Sequence, residues 1–398
     1  MGKENMRILF LDWNSYGNLD ILSAANELKS SGRDIQIELY PFDNHIERDD
    51  KQFAERFKKD LQKKDPDFVM SFNFFPIVSG VCNEVGIKYV SWVYDNPAVN
   101  LYSFTLINPC NYVFLFDSQM YEVFANQGIK TVYYLPMAAA VERYDRFEKS
   151  AVFRNKWGGE IAFVGNLYTE GHNYYDRIED KLSEYSKGYL NGLMRAQMEI
   201  NGASIIEGAI PEKIMNEMVD AFGAKPNYDG VETYDYIYSN YVIDRKITAL
   251  ERCEILTMVG QKHQVNLFTG DKNYKPEGIN NRGKVDYYNE MPYIFKNTDI
   301  NLNITLRSIQ RGIPLRCMDI MGCGGFLLTN YQEDFLNFFE PFEDYVYFES
   351  RADLLEKIEY YITHDEERNR IAASGYEKVK AGHTYKLRLE EILDIVGS

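Results

Sequence analysis

Cysteine is scarce in this chain. There are five in 398 residues, Cys82, Cys110, Cys253, Cys317 and Cys323, and no two form a CxxC pair. An odd count with no close spacing gives no disulfide framework, so the sequence points to a reducing, cytoplasmic setting. Positive charge is also in deficit: 44 Lys and Arg stand against 60 Asp and Glu, a formal net charge of −16. Nucleic acid and anionic membrane surfaces both attract basic proteins, so neither is an expected partner. Long apolar runs are missing as well. The opening MGKENMRILFLDW carries a run too short for a signal peptide or a membrane span. Met1 to Asn5 reads as a disordered lead, and no integral membrane segment is expected.

Catalytic signatures are equally thin. The five histidines, His45, His172, His263, His364 and His383, make no HxH or HxxxH spacing, so no metal site is expected. There is no Walker lysine motif and no GxSxG elbow. No permanently bound cofactor is implied. By elimination, any chemistry must rest on cationic side chains and backbone dipoles.

What is present is a globular composition, 45% hydrophobic and 26% charged, long enough for two domains. The 31 tyrosines and 24 phenylalanines suit an aromatic-rich core or a stacking surface. From Arg7 to Leu135, strand-like runs alternate with helical patterns: Arg7–Asp12, Ile35–Tyr40, Pro66–Ser71, Lys88–Tyr94, Tyr112–Asp117 and Thr131–Leu135. Such alternation predicts parallel strands with helical crossovers, a doubly wound α/β domain. A second strand-then-glycine unit begins at Ile161-Ala162-Phe163-Val164-Gly165-Asn166, which puts a boundary near Lys149 to Trp157. Residues from about 170 to 255 are helical in texture and read as an insertion, with Asp176–Met198 as one helix. Lys284–Tyr287 reads as a short strand.

Several residues at strand ends invite a functional reading. Asp95, in Trp92-Val93-Tyr94-Asp95-Asn96-Pro97, follows a buried strand. It can be a general base or an acceptor-hydroxyl ligand, or an Asx-turn that merely closes the strand. Gly165 and Asn166 let backbone approach a phosphate or sugar, or form a plain tight turn. His172 follows closely enough to reach the same place. The richest stretch is Asn301–Asn330: a strand, a loop with Arg307, Arg311 and Arg316, a helix over Leu315–Met321, a glycine turn and another strand. Guanidinium forks beyond a strand end and at a helix N-terminus suit a diphosphate. Solvated surface arginines around an ordinary αβ turn are the plain alternative.

The run R-G-I-P-L-R-C-M-D-I-M-G-C-G-G-F-L-L-T-N from Arg311, with H-D-E-E-R-N-R-I-A-A-S-G-Y-E-K-V from His364, resembles the spore-maturation CgeB-like glycosyltransferases. Members of that family usually have Glu at the position of Asp319, and Ala where Cys323 or Gly324 stands here. The resemblance implies a GT-B fold: two doubly wound Rossmann-like domains facing a cleft, with the helical insertion in the second. Residues 1–155 would be the acceptor-side domain and 156–380 the nucleotide-sugar domain. Residues 381–398 would form a helix crossing back to the first.

It also implies metal-independent transfer of a sugar from a nucleoside-diphosphate donor, most readily a UDP-sugar, to a glycan, protein or small-molecule acceptor. Arg316, with Arg311, would hold the diphosphate. Asp319 would accept from the ribose hydroxyls, and Gly312 would contact the donor through its backbone. Val285 and Tyr287 would meet the base, and Gly165, Asn166 and His172 the sugar. Asp95 and Arg316 are the catalytic candidates. A sugar-nucleotide epimerase on the same fold, or a non-catalytic nucleotide-sugar binding module, stays open beside the transferase.

Overall fold

The strand runs fold into two parallel sheets of six strands each. The computed structural model describes residues 5–397 except 170 and 172. Of the expected lead, residues 1–4 lie outside the described residues, whereas Asn5 already belongs to the first strand. The chain divides into two units: residues 1–138, 227–232 and 383–398 form the first, and residues 139–226 and 233–382 the second.

The first unit contains β1 (Asn5–Asp12), β2 (Asp34–Pro41), β3 (Phe68–Phe72), β4 (Lys88–Val93), β5 (Asn111–Leu115) and β6 (Val132–Tyr134), in the order β2-β1-β3-β4-β5-β6. Helices cover both faces, so the central strand β3, FVMSF, is buried at every position. The helix Lys51–Lys64 shows why the intervening segments coil. Phe53, Phe57 and Leu61 recur at a four-residue spacing and form its buried stripe. Asp50 starts it by accepting from the Phe53 amide at 2.9 Å. The last helix, Tyr385–Gly397, belongs to this unit and buries Leu389, Ile392, Leu393 and Val396.

The second unit contains β7 (Gly159–Val164), β8 (Val265–Phe268), β9 (Ile279–Asn281), β10 (Thr298–Asn303), β11 (Leu327–Asn330) and β12 (Val346–Phe348), in the order β12-β11-β10-β7-β8-β9. Ile161, Phe163, Val265, Leu267, Ile300, Leu302 and Leu328 form the sheet's share of its core. Between β7 and β8 lies the insertion, with helices at Glu184–Met198, Glu212–Phe222 and Tyr234–Gly260. The last of these contains a π-helical turn at Tyr238–Ile243.

Two local expectations fail for physical reasons. The helix expected from Asp176 starts only at Glu184, because the Ser183 hydroxyl caps the Ser186 amide and two 3-10 turns precede it. Lys284–Tyr287 is not a strand. Gly283 has φ 80, and Asp286 gathers the amides of Tyr288 and Asn289 into a turn. Among the described residues no helix is long and apolar enough to cross a membrane.

Candidate functional site

In the second unit the chain leaves β7 toward β8 on one side and β10 toward β11 on the other. β7 and β10 are therefore neighbours at a topological switch point, where open α/β sheets bind ligands beyond their carboxyl ends. The turn after β7 is fixed in detail. The Gly165 amide donates to the Phe268 carbonyl at 3.0 Å. Asn166 accepts from the Tyr168 amide at 2.7 Å, and Tyr168 takes φ 58, a left-handed conformation rare for a tyrosine. After β10, the Thr305 amide donates to Asn330 Oδ1 at 2.8 Å.

Arg252, from the helix Asp244–Gly260, joins these two segments. Its Nε and Nη2 donate to the Ile304 carbonyl at 3.0 and 2.5 Å, and Nη1 donates to the Asn166 carbonyl. The guanidinium lies against the rings of Phe163 and Tyr168, 5.4 and 5.2 Å from their centroids. Burial pushes its pKa down. Among the described residues no carboxylate pairs with it, so a buried cation stands at the switch point. Nearby strand ends carry two buried polar atoms without partners among the described residues, Thr269 Oγ1 after β8 and Gln332 Oε1 after β11. Such orphans are rare in native interiors.

The arginines of the loop after β10 divide by what engages them. Arg307 is spent inside the protein: Glu251 takes its Nε at 2.6 Å and its Nη2, and the Ile200 carbonyl takes Nη1 at 2.6 Å. Arg311 is a third exposed and pairs with Glu333 at 3.1 Å. Gly312 is buried in the same loop. Pro314 precedes the helix Leu315–Gly322 and offers it no side-chain cap; its carbonyl takes the Cys317 amide at 2.9 Å, which leaves the Leu315 and Arg316 amides for an anion. Arg316 lies on that first turn, 5.5 Å over the Phe295 ring, with Nη1 donating to Met291 Sδ and to Asp319 Oδ2 at 3.2 Å.

Asp319 has no exposed surface. Its Oδ1 accepts from the Tyr144 hydroxyl at 2.6 Å and from Tyr287 at 3.1 Å. Burial raises its carboxyl to about 6, against the pull of Arg316, the two tyrosines and Arg143. The Arg143 guanidinium sits among the rings of Tyr144, Tyr287 and Tyr288, 4.7, 5.2 and 4.9 Å from their centroids.

The structure thus joins three of the sequence candidates, Arg316, Asp319 and Tyr287, in one hydrogen-bonded group. Gly165 and Asn166 form the switch-point turn. Val285 is half-buried in the irregular stretch before Tyr287. His172 lies outside the described residues. Sequence reasoning missed Arg252, Arg143 and Tyr144. Glu251-Arg252 inside a helix reads as an ordinary solvated pair, and Arg143-Tyr144 falls between the last expected strand of the first domain and the boundary, with no motif.

Asp95 belongs to the first unit. Asn73, after β3 and at φ 59, donates to Asp95 Oδ2 at 2.6 Å and accepts from the Tyr94 and Asp95 amides at 3.2 and 3.3 Å. At the end of β1, Asp12 accepts from Asn18 Nδ2 at 2.6 Å and from the Asn14 amide at 3.0 Å. The loop between requires glycine at position 17: its φ is 89, and a Cβ there would meet the Tyr385 hydroxyl at 2.7 Å. Among the described residues no three acidic, histidine or cysteine side chains converge to hold a metal ion.

Residues 249–394 match a family described as Glycosyl transferase-like. No curated protein matches the chain. Among solved structures, a glycosyltransferase from Rickettsia africae is similar at 10% identity and a TM-score of 0.55, over 98% of each chain. HepE of Anabaena, solved with UDP and glucose, is similar at 11% identity and a TM-score of 0.53, over 98% of this chain and 99% of its own. A putative UDP-N-acetylglucosamine 2-epimerase from Listeria monocytogenes gives 7% identity and a TM-score of 0.54, over 98% and 96%. What these structures share with the present chain is a fold, the GT-B class of two Rossmann-like α/β domains, which in this chain are built on two six-stranded parallel sheets.

Proposed function

We propose that the protein is a glycosyltransferase that binds a nucleoside-diphosphate sugar in its second unit and transfers the sugar to an acceptor hydroxyl. A fold that serves transferases and an epimerase alike does not choose between them. The observation that carries the reading is the cationic switch point: Arg252 buried between the β7 turn and the β10 loop, with Arg316 and the uncapped helix start beside that loop in sequence. The Glycosyl transferase-like match spans this same loop and helix. UDP is the first nucleotide to test, because HepE was solved with it.

In this reading Arg316 and Arg311 neutralise the leaving diphosphate, assisted by first-turn amides after Gly312. These fixed cations and dipoles do the work that a divalent ion does in other transferases. Gly165 and Asn166 bring backbone close to the sugar and phosphates, and Val285 and Tyr287 form the base side. Asp319, whose oxygens are held by Tyr144, Tyr287 and Arg316, acts as a positioning residue that aims Arg316. The acceptor oxygen bonds to the anomeric carbon as the bond to the diphosphate breaks. We assign the acceptor proton to Asp95, which Asn73 holds in place.

The test is calorimetric titration of UDP, GDP, dTDP and ADP into wild type and Arg316→Ala. One diphosphate should bind, and the substitution should weaken it by roughly tenfold to a hundredfold, the loss of a charge-assisted pair. Failure of all four to bind wild type would overturn the transferase reading.

A further inference from the structure

The first unit holds a cavity of about 360 Å³ that the donor chemistry does not use. It lies where ligands bind on an open α/β sheet, beyond the carboxyl ends of β2, β3 and β4. Its walls are the loop 44–49, the start of the helix Pro76–Val85, the turn at Val99–Asn100, and Asn227-Tyr228 from the segment 227–232. That volume suits a small ligand.

The cavity is built rather than accidental. Arg48 pairs with Asp229 at 2.7 Å and donates to Asn100 Oδ1 at 3.1 Å and the Val99 carbonyl at 3.3 Å. Asp229 also accepts from the Ser103 hydroxyl at 2.9 Å, while its carbonyl takes the Phe104 amide at 2.8 Å. The Val231 amide donates to the Tyr102 carbonyl at 2.9 Å. The segment carrying Tyr228 is thereby fastened along its length.

The chemistry of the lining selects a ligand class. Arg48 is its one arginine or lysine, and its Nη1 and Nη2 are already taken by Asp229, Asn100 and the Val99 carbonyl. Glu47 and Asp49 stand exposed at the rim, so phosphates and sugar acids are repelled. Phe75, Ile77 and the three-quarters-exposed ring of Tyr228 offer apolar faces. Among the described residues, no protein group engages the Asn44 carboxamide or the His45 ring, which are left to bond a ligand. An aromatic face for ring C–H groups, with carboxamide and carboxylate for hydroxyls, is what an uncharged sugar requires. We propose that this cavity binds an uncharged saccharide, the terminal sugar of the acceptor. The word acceptor rests on the transferase reading above; the saccharide site does not.

The experiment is saturation-transfer NMR with maltose, cellobiose, lactose and chitobiose. Glucose 6-phosphate and glucosamine serve as charged comparators, and wild type is compared with Tyr228→Ala and Asn44→Ala. Both variants alter exposed side chains, and thermal melts confirm folding. At least one neutral disaccharide should bind, and Tyr228→Ala should weaken it by roughly tenfold, the loss of one stacking face. UDP titrations of the same variants should match wild type. No neutral disaccharide binding, binding unchanged in both variants, or tighter binding of a charged comparator would overturn the proposal. Tyr228-dependent saccharide binding in a protein that binds no diphosphate would support the cavity and remove the transferase reading.

Discussion

At Asp319, burial and charge pull against each other. Desolvation lifts its carboxyl to about 6, although Arg316 and two tyrosine hydroxyls favour the ionised form. The direction of the pH effect follows. At low pH the group is protonated in folded and unfolded chains alike, and its burial costs little. Between roughly pH 4 and 6 the unfolded chain ionises first, and the folded chain must follow against desolvation. This residue's contribution to stability therefore falls by about 2–3 kcal/mol as pH rises through that window and levels off above it. Asp319→Asn has no proton to lose. Urea unfolding at about pH 5 and about pH 7 should show wild type losing stability relative to Asp319→Asn as pH rises; equal slopes would refute the buried-carboxylate account. Asn73 offers a second residue-scale test. At φ 59 an asparagine is tolerated, an alanine strained and a glycine free. Asn73→Ala should cost about 1–2 kcal/mol, while Asn73→Gly should recover the strain but not the bonds to Asp95. Denaturation midpoints should fall in the order Asn, Gly, Ala.

Elements were legible wherever their signal was local. Arg7–Asp12 and Lys88–Tyr94 could be read as strands from their apolar runs bounded by turn residues, and they fall on β1 and β4. Lys284–Tyr287 misled because Tyr287 is buried for a tertiary reason: its hydroxyl serves Asp319, more than thirty residues away. The same limit hid the switch point. The loop after β10 announced itself through three arginines, yet Arg307 is consumed by Glu251, and Arg252 was hidden in a helix with no pattern. A carbonyl-to-guanidinium bond across more than fifty residues leaves no trace in spacing. Arg252→Lys tests what the fork contributes, since lysine keeps the charge but cannot bridge two carbonyls with the same planar geometry. Diphosphate affinity should drop by roughly tenfold, with faster hydrogen exchange at Gly165–Tyr168 and after Ile304. Unchanged exchange would mean that the two segments hold themselves. For the helix Lys51–Lys64, Asp50→Ala removes its cap and should cost about 1 kcal/mol by denaturant unfolding.

At the scale of the whole molecule, a net charge of −16 sets a long-range field that opposes the proposed ligand. A nucleoside diphosphate must approach an anionic protein before it reaches Arg311 and Arg316. The two effects act over different lengths. Bonds to a guanidinium act at contact, where salt screens little, whereas the summed repulsion acts beyond the Debye length of about 10 Å at 0.1 M salt. Raising ionic strength from low to about 0.15 M should therefore speed association of UDP while leaving its contact bonds largely intact. Most arginine-rich phosphate sites sit in basic surroundings and behave oppositely, because there salt weakens steering. Stopped-flow binding of a fluorescent UDP analogue measures the rate directly. A rise with salt would mean that the cationic site is confined to the switch point and shielded by the anionic remainder. A fall would mean that the arginine field reaches into solvent, and a basic approach face would then have to exist despite the acidic whole.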